Sequence, residues 1–251
     1  MYREWAPDPA IAERVACLWA SVATSPTTSL VVPDGCVDLI WGPGGLHVAG
    51  PDTGPMPVRL SPGDRYAGVR FRPGAVGEVF GVPLDALRDQ RVPLSDLGRL
   101  PGLTVGETAA GAAISRRTVR GSLVDGVTTA GTVTAETLQE ALAVRLRATP
   151  GPDPAASAIA GALRSGRSAG EVAWELGLSE RQLHRRCLRA FGYGPKVLQR
   201  VVRFQRALRL ARRGLTLAEV ALASGYADQS HMANEVRRLA GVPMGRLVSR
   251  P

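Results

Sequence analysis

The chain has 251 residues, of which 45% are hydrophobic and 21% charged. These proportions are those of an ordinary globular protein and exclude a long disordered or repetitive chain. The length suits two domains better than one, because domains cluster near about 100 to 150 residues.

The formal net charge of +9 is unevenly distributed along the chain. Residues 153–251 contain 17 Lys and Arg against 7 Asp and Glu, whereas the remainder contains 14 against 15. Clustered guanidinium groups favour a polyanionic partner, because binding to phosphates releases counterions. A well-solvated basic surface would give the same imbalance, so charge alone does not decide between them.

Cysteine content and the N-terminus limit the compartment and the cofactors. Cys17, Cys36 and Cys187 are too few and too scattered for a disulfide framework or a paired metal site. The first ten residues include charges and two prolines where a signal peptide needs an apolar run. We therefore expect a cytoplasmic protein with no metal, no cofactor and no membrane contact.

The first half of the chain is predicted to be rich in β-strands. Between residues 30 and 71, short apolar runs alternate with Gly and Pro residues, which is the pattern of strands joined by tight turns. The runs are SLVV, VDLIW, LHVAG, PVRL and YAGVRF. Helical pieces are predicted at residues 75–80 and 84–90, followed by a strand at RVPL. We assign residues 1–102 to a β-rich, sensor-like domain.

Residues 103–149 form an Ala-rich segment that we expect to be a helical connector. Leu138, Leu142 and Leu146 lie at four-residue intervals on one face of a helix that Thr134 can cap. Such a stripe is most often packing within a domain, and a dimerisation surface is the alternative. Residues 148–156 contain three prolines and a glycine, which favours a linker before a second domain at 155–251.

The basic domain contains an internal repeat. Residues 168–195 can be aligned with residues 216–243, and each copy fits a helix-turn-helix. Gly177 and Gly225 can adopt the positive φ that ends the first helix, and Ser179 and Asp228 can cap the second. Residues 195–213 between the copies form an apolar helical stripe about 28 Å long. This linker helix could hold the two copies at about the 34 Å turn of B-DNA.

The second helix of each copy exposes a polar face, because three- and four-residue spacings place side chains together. These candidate DNA-binding residues are Arg181, His184 and Arg185 in the first copy and Gln229, Ser230, Ala233 and Asn234 in the second.

Residues 155–247 resemble the double helix-turn-helix domain of the AraC/XylS family of bacterial regulators. The resemblance is carried by EVAWELGLSERQLHRRCLRAFGYGPK, by RFQRALRLA and by LAEVALASGYADQSHMANEVRRLAGV. It implies an α+β protein with an all-α C-terminal domain of two helix-turn-helix units, acting without enzymatic activity as a transcription factor. The implied partner is double-stranded DNA, read in the major groove by the seven residues named above. Asn234 stands where the family usually has Arg, so we expect the second helix to contribute less specificity.

The N-terminal half also resembles a domain found on a subgroup of AraC-type regulators. The similar motifs are VVPDGCVDLIW, AGP and GVRFRPG, followed by VPLSDLG. The resemblance assigns no ligand, but it implies a domain that receives a signal and alters DNA binding or dimer geometry. A small-molecule effector and a homodimer are therefore candidate partners, and both an activator and a repressor fit the resemblance.

Three residues of this half are candidates for a ligand or a reactive site. Cys36 follows a turn-like Pro-Asp-Gly and is either an exposed sensor thiol or, as we prefer, a small buried residue at the start of a strand. Trp41, like Trp19, either lines an apolar pocket or fills the core. Asp34 and Asp38 have no nearby His cluster, so they do not predict a metal site.

Two other functions fit parts of the sequence. A DNA alkyl-group acceptor would use Cys36 as its nucleophile, but the chain lacks the four-cysteine zinc arrangement expected of such a sensor. An architectural DNA binder that tolerates any sequence is the second alternative. Competition by random duplex separates it from a specific regulator.

Overall fold

The computed structural model describes residues 1–98, 104–106, 113–115 and 133–249. Its N-terminal part is built on an antiparallel sheet in the order β1-β2-β7-β4-β5-β8. A separate pair joins β3 to β6. The strands are β1 (Tyr2–Trp5), β2 (Val15–Val22), β3 (Thr27–Val31), β4 (Asp38–Gly42), β5 (Gly45–Ala49), β6 (Met56–Leu60), β7 (Arg65–Phe71) and β8 (Arg91–Pro93).

One face of this sheet forms the N-terminal core. Leu18 and Leu39 both pair with Val69 of β7, so the three side chains share a face. All three are almost completely buried. The predicted strands between residues 30 and 71 are confirmed, whereas β1 and β2 lie before the region from which strands were predicted.

The two helical pieces predicted after β7 are wrong in part. Residues 75–80 form turns and not a helix, because Gly74, Gly77 and Gly81 all have positive φ, which no right-handed helix tolerates. Residues 84–90 contain only a short 3-10 helix, Leu84–Ala86, before the chain enters β8. The strand predicted at RVPL is confirmed.

The connector is helical only in its last part. The helical prediction is wrong at β9 (Thr104–Gly106) and β10 (Ala113–Ser115), which pair antiparallel. The other residues before 133 lie outside the described part of the chain. Helix α1 (Ala135–Ala148) is capped by Thr134, whose hydroxyl accepts a hydrogen bond from the Thr137 amide. Its stripe Leu138, Leu142 and Leu146 is buried in the core of the N-terminal sheet, as expected for packing within a domain.

The C-terminal part is all-helical and contains the two predicted helix-turn-helix units. One hydrophobic cluster joins the first unit to the start of the linker helix, and another joins the second unit to its end. The helices are α2 (Ala155–Arg164), α3 (Ala169–Glu175), α4 (Glu180–Phe191), α5 (Pro195–Arg212), α6 (Leu217–Ala223), α7 (Gln229–Ala240) and α8 (Met244–Val248). The α+β fold class is thus confirmed.

The local signals that define both units are present. Gly177 and Gly225 have φ of 62° and 80° at the turn between the helices of each unit. The side chain of Ser179 accepts from the Gln182 amide at the start of α4, and that of Asp228 accepts from the His231 amide at the start of α7. Each cap satisfies an amide that the first helical turn leaves unpaired. None of the described helices combines the length and apolarity needed to cross a membrane.

Candidate nucleic-acid interface

Helix α4 of the first unit has one buried and one exposed face. Leu183, Cys187 and Phe191 are buried against the unit's core. Arg181 and Arg185 lie on the opposite face and are exposed, which follows from their four-residue spacing. The first unit therefore presents two guanidinium groups on one surface.

His184 lies on the same helix but has a neighbour within the protein. It is exposed, yet a β-carbon built on Gly194 would lie 2.7 Å from its Cε1 atom. The imidazole thus packs against the backbone just before α5. This contact restricts the ring to one side of α4, which its sequence position did not predict.

Helix α7 repeats the arrangement in the second unit. Met232, Val236 and Leu239 are buried. Gln229, Ser230 and Asn234 are exposed, and Ala233 is half-buried. Val236 is fully buried.

The exposed polar groups on the two helices are available to a partner. Among the residues that the structure describes, the side chains of Arg181, Arg185, Gln229, Ser230 and Asn234 have no hydrogen-bond or ion-pair partner. When an exposed donor without an internal partner contacts a ligand, the only hydrogen bonds that it gives up are those to water. Both faces can therefore bind a polar or anionic surface without breaking an internal contact.

Three further arginines extend the same surface and were missed from the sequence. Arg189 lies four residues after Arg185, and Arg237 lies three residues after Asn234. With Arg238, they are exposed on the second halves of α4 and α7. The helical spacing that selected the first seven residues could have found them.

Helix α5 holds the second unit through side-chain contacts. Arg200 Nε donates to Glu235 of α7, and both side chains are largely buried. The Arg203 guanidinium lies 4.6 Å from the centre of the Tyr226 ring, a cation–π contact. The linker helix thus contacts both α7 and the turn that precedes it through its side chains.

The first helix of each unit begins with the same capping box. Ser168 and Glu171 cap α3, and Thr216 and Glu219 cap α6. The hydrogen bonds from the Ser168 backbone and hydroxyl lower the pKa of Glu171. Those from the Thr216 hydroxyl and backbone lower the pKa of Glu219. The two units are therefore stabilised by equivalent carboxylates.

Cys36 lies in a charged cluster of the N-terminal sheet. It is half-buried two residues before β4, with Asp34, Asp38 and Arg70 nearby. Burial, reinforced by the carboxylates of Asp34 and Asp38, raises the pKa of the Cys36 thiol well above its ordinary value. A thiol held protonated is a poor nucleophile, so this environment does not favour an alkyl acceptor.

The tryptophans of the N-terminal sheet are mainly packing residues. Trp41 packs against the core that contains Leu39 and Val69. Trp19 lies across Gly68, and its indole nitrogen donates to Asp38 Oδ1 at 2.8 Å. Among the described residues, no three His, Cys, Asp or Glu side chains gather as metal ligands would.

Comparison with known proteins gives two family matches. Residues 155–250 match the model of a helix-turn-helix domain, and residues 3–93 match a domain of unknown function, DUF6597. No curated protein is similar enough to the chain to match.

Solved structures show distant likeness. A probable AraC family transcriptional regulator from Rhodopseudomonas palustris is 22% identical, covering 39% of this chain and 100% of that chain with a TM-score of 0.34. ToxT from Vibrio cholerae is 10% identical, covering 98% of this chain and 97% of that chain with a TM-score of 0.46. The chain therefore carries a helix-turn-helix domain at residues 155–250 behind a domain of unknown function at residues 3–93.

Proposed function

We propose that the protein is a sequence-specific transcription regulator whose helices α4 and α7 enter successive major grooves of DNA. One observation carries this proposal: two capped helices, each with polar side chains exposed on one face, are joined by a single 18-residue helix. That helix spans about 27 Å at about 1.5 Å per residue. Successive major grooves on one side of B-DNA lie about 34 Å apart.

The exposed side chains suit base edges. Arg181 and Arg185 can each donate two hydrogen bonds to guanine O6 and N7, and Gln229 and Asn234 suit adenine N6 and N7. Ser230 can donate or accept, His184 can contact a base from its fixed side of α4, and Ala233 can contact a thymine methyl group. These are the seven residues to which we assign DNA reading.

The exposed Arg189, Arg237 and Arg238 are assigned to phosphates and not to bases. They lie on the second halves of α4 and α7, whereas the first halves of recognition helices contact base edges. Phosphate contacts position a protein on the duplex without reading sequence. Binding should therefore weaken steeply with added salt.

We assign the N-terminal domain to signal reception, on the basis of its contacts with the helical domain and its separate family match. A small-molecule effector and a second copy of the chain are the proposed further partners. The bacterial cytoplasm is the proposed location, because a regulator must reach the chromosome.

The proposal is tested by selecting bound duplexes from a random pool with the full-length chain. We expect an enriched site with two half-sites, protected in footprints and bound at least about 1000-fold more tightly than random duplex. Random duplex that competes as well as the selected site would instead indicate an architectural DNA binder. No binding to any duplex would overturn both interpretations.

A further inference from the structure

One loop of the N-terminal domain contacts the same end of both recognition helices. The loop, residues 51–55, connects β5 to β6 and is here named the proline loop. A β-carbon built on Gly192 would lie 2.6 Å from Pro51 Cγ, and one built on Gly241 would lie 3.3 Å from Pro55 Cγ. Gly192 and Gly241 are the left-handed residues that end α4 and α7. They also occupy equivalent positions in the sequence repeat.

The contact with the first unit is especially close. A β-carbon on Gly192 would also lie 2.9 Å from the carbonyl oxygen of Leu84, a separation shorter than van der Waals contact allows. The end of α4 therefore fits between the proline loop and the 3-10 helix Leu84–Ala86. Only glycine allows both this approach and the φ of 78° at Gly192.

Hydrogen bonds to residues 89–91 hold the proline loop in place. Arg91 makes two hydrogen bonds to Asp52, at 2.9 and 2.7 Å, and Asp52 is only 8% exposed. The amide and hydroxyl of Thr53 both donate to the Asp89 carboxylate. The Asp89 amide in turn donates to the Pro51 carbonyl oxygen at 3.1 Å. A loop with these bonds is a rigid support and not a loose connection.

Other contacts of the N-terminal domain reach both units. Phe191, the last residue of α4, lies against Gly74, where a β-carbon would be 2.6 Å from its ring. Leu30 and Val32 pack against the hydrophobic cluster of the second unit. Gln205 of α5 donates to the Pro33 carbonyl oxygen at 2.7 Å. The two units are thus connected twice, once through α5 and once through the N-terminal domain.

We propose that the proline loop sets the spacing of the two half-sites that the protein reads, which rests on the proposed DNA-binding function. With α5 alone, small bends or rotations of one helix would change the distance and angle between α4 and α7. The second connection at Gly192 and Gly241 removes this freedom. A change of one base pair moves a half-site by about 3.4 Å and about a tenth of a turn. If the distance and angle between α4 and α7 are fixed, the protein therefore binds weakly to half-sites at an altered spacing. If α4 and α7 could move relative to each other, it would bind such sites nearly as well as the preferred one.

The test uses the full-length chain and the two half-sites recovered by selection. Duplexes carry these half-sites at the selected spacing and with one or two base pairs added or removed. The variant Pro51→Ala/Pro55→Ala removes the ring atoms that contact Gly192 and Gly241. The control Pro62→Ala removes an exposed proline from the turn between β6 and β7. Asp52→Asn is a second variant, which weakens the bonds to Arg91 and leaves both prolines in place.

We expect the wild type and Pro62→Ala to prefer one spacing. In Pro51→Ala/Pro55→Ala and in Asp52→Asn, the affinity ratio between the preferred and altered spacings should fall by about fivefold or more, a usual size for coupling between sites. Circular dichroism before each titration checks that the variants are folded.

The outcomes separate the inference from the function on which it rests. A purely structural role would weaken binding equally at every spacing, and that result would overturn the inference. It would also be overturned if the variants kept the wild-type preference, or if the wild type bound all spacings alike. A wild type that binds no duplex would instead reject the proposed function, and the inference with it.

Discussion

Arg200 in the linker helix donates to Glu235 in α7, and both side chains are largely shielded from water, at 28% and 12% exposed. A pair in this setting couples more strongly than one on the surface, because solvent screens it less. In a double-mutant cycle of Arg200→Ala and Glu235→Ala, we expect a coupling free energy of about 1 to 2 kcal/mol. Urea unfolding of the four proteins measures it.

The first unit offers a matched control for this cycle. Arg167 and Glu175 also form an ion pair, but their side chains are 49% and 34% exposed. Their coupling should be below about 0.5 kcal/mol, as for other exposed pairs. Equal coupling in both pairs would contradict the role assigned to burial.

Arg185 should contribute to specific binding more than to general affinity. Arg185→Ala should weaken the selected site by about 1 to 3 kcal/mol, the usual contribution of a bidentate contact with guanine, and weaken random duplex less. Titration of both duplexes at fixed salt provides the measurement. Arg65→Ala, which removes an exposed arginine from the start of β7, is the control and should leave both affinities unchanged. Equal losses on the two duplexes would assign Arg185 to phosphate.

The capping carboxylates should make stability depend on pH in the acid range. Hydrogen bonds lower the pKa of Glu171 and Glu219 below the ordinary 4.5. A lowered pKa contributes stability that is complete above the unfolded value and is lost as the pH falls through the folded value. The variant Glu171→Gln/Glu219→Gln lacks these charges, so its melting temperature should approach that of the wild type between about pH 6 and about pH 3.5.

Glu13→Gln controls for the loss of a carboxylate as such. Glu13 is exposed and makes no hydrogen bond among the described residues. The melting temperature of this variant should change with pH as that of the wild type does, across the same pH range. If the melting temperature of the double variant also changed with pH as the wild type does, the capping bonds would not be the source of the pH dependence.

Cys36 should react slowly in the folded protein. Its pKa is raised well above 9.0 by burial and by nearby carboxylates, and each unit of pKa lowers the thiolate fraction about tenfold. Alkylation by iodoacetamide at neutral pH should therefore be at least about tenfold slower than in urea, as measured by mass spectrometry of the Cys36 peptide. Methylating agents should leave Cys36 unmodified, whereas fast modification in the folded state would revive the alkyl-acceptor hypothesis.

Much of the fold could be predicted because its signals are local. Strands β4 and β5 are short apolar runs bounded by Gly and Pro, and the helix-turn-helix units carry their own caps and left-handed glycines. Strand β2 carries a weaker signal, because the Ala-rich run before and within it fits a helix as well as a strand. The helix predicted at 75–80 is not formed, because Gly74, Gly77 and Gly81 adopt positive φ.

In the candidate site, too, features set by nearby residues could be predicted, whereas contacts between separate helices could not. Helical spacing predicted that Arg181 and Arg185 lie on the exposed face of α4 and that Asn234 lies on the exposed face of α7. The buried apolar face of each helix determines which face is exposed. The contact of His184 with Gly194 and the bond from Arg200 to Glu235 join separate elements. Such pairings depend on how helices pack, which no local pattern specifies.

The close fit of Phe191 against Gly74 limits how this protein can be recombined with others. Gly74 has a φ of 80° and no room for a side chain beneath the aromatic ring. A chimera that joined residues 155–250 to a foreign N-terminal domain would leave this ring uncovered unless the new domain supplied a similar glycine turn. The two halves are therefore complementary in shape at this point, and exchange of one requires redesign of the surface on the other.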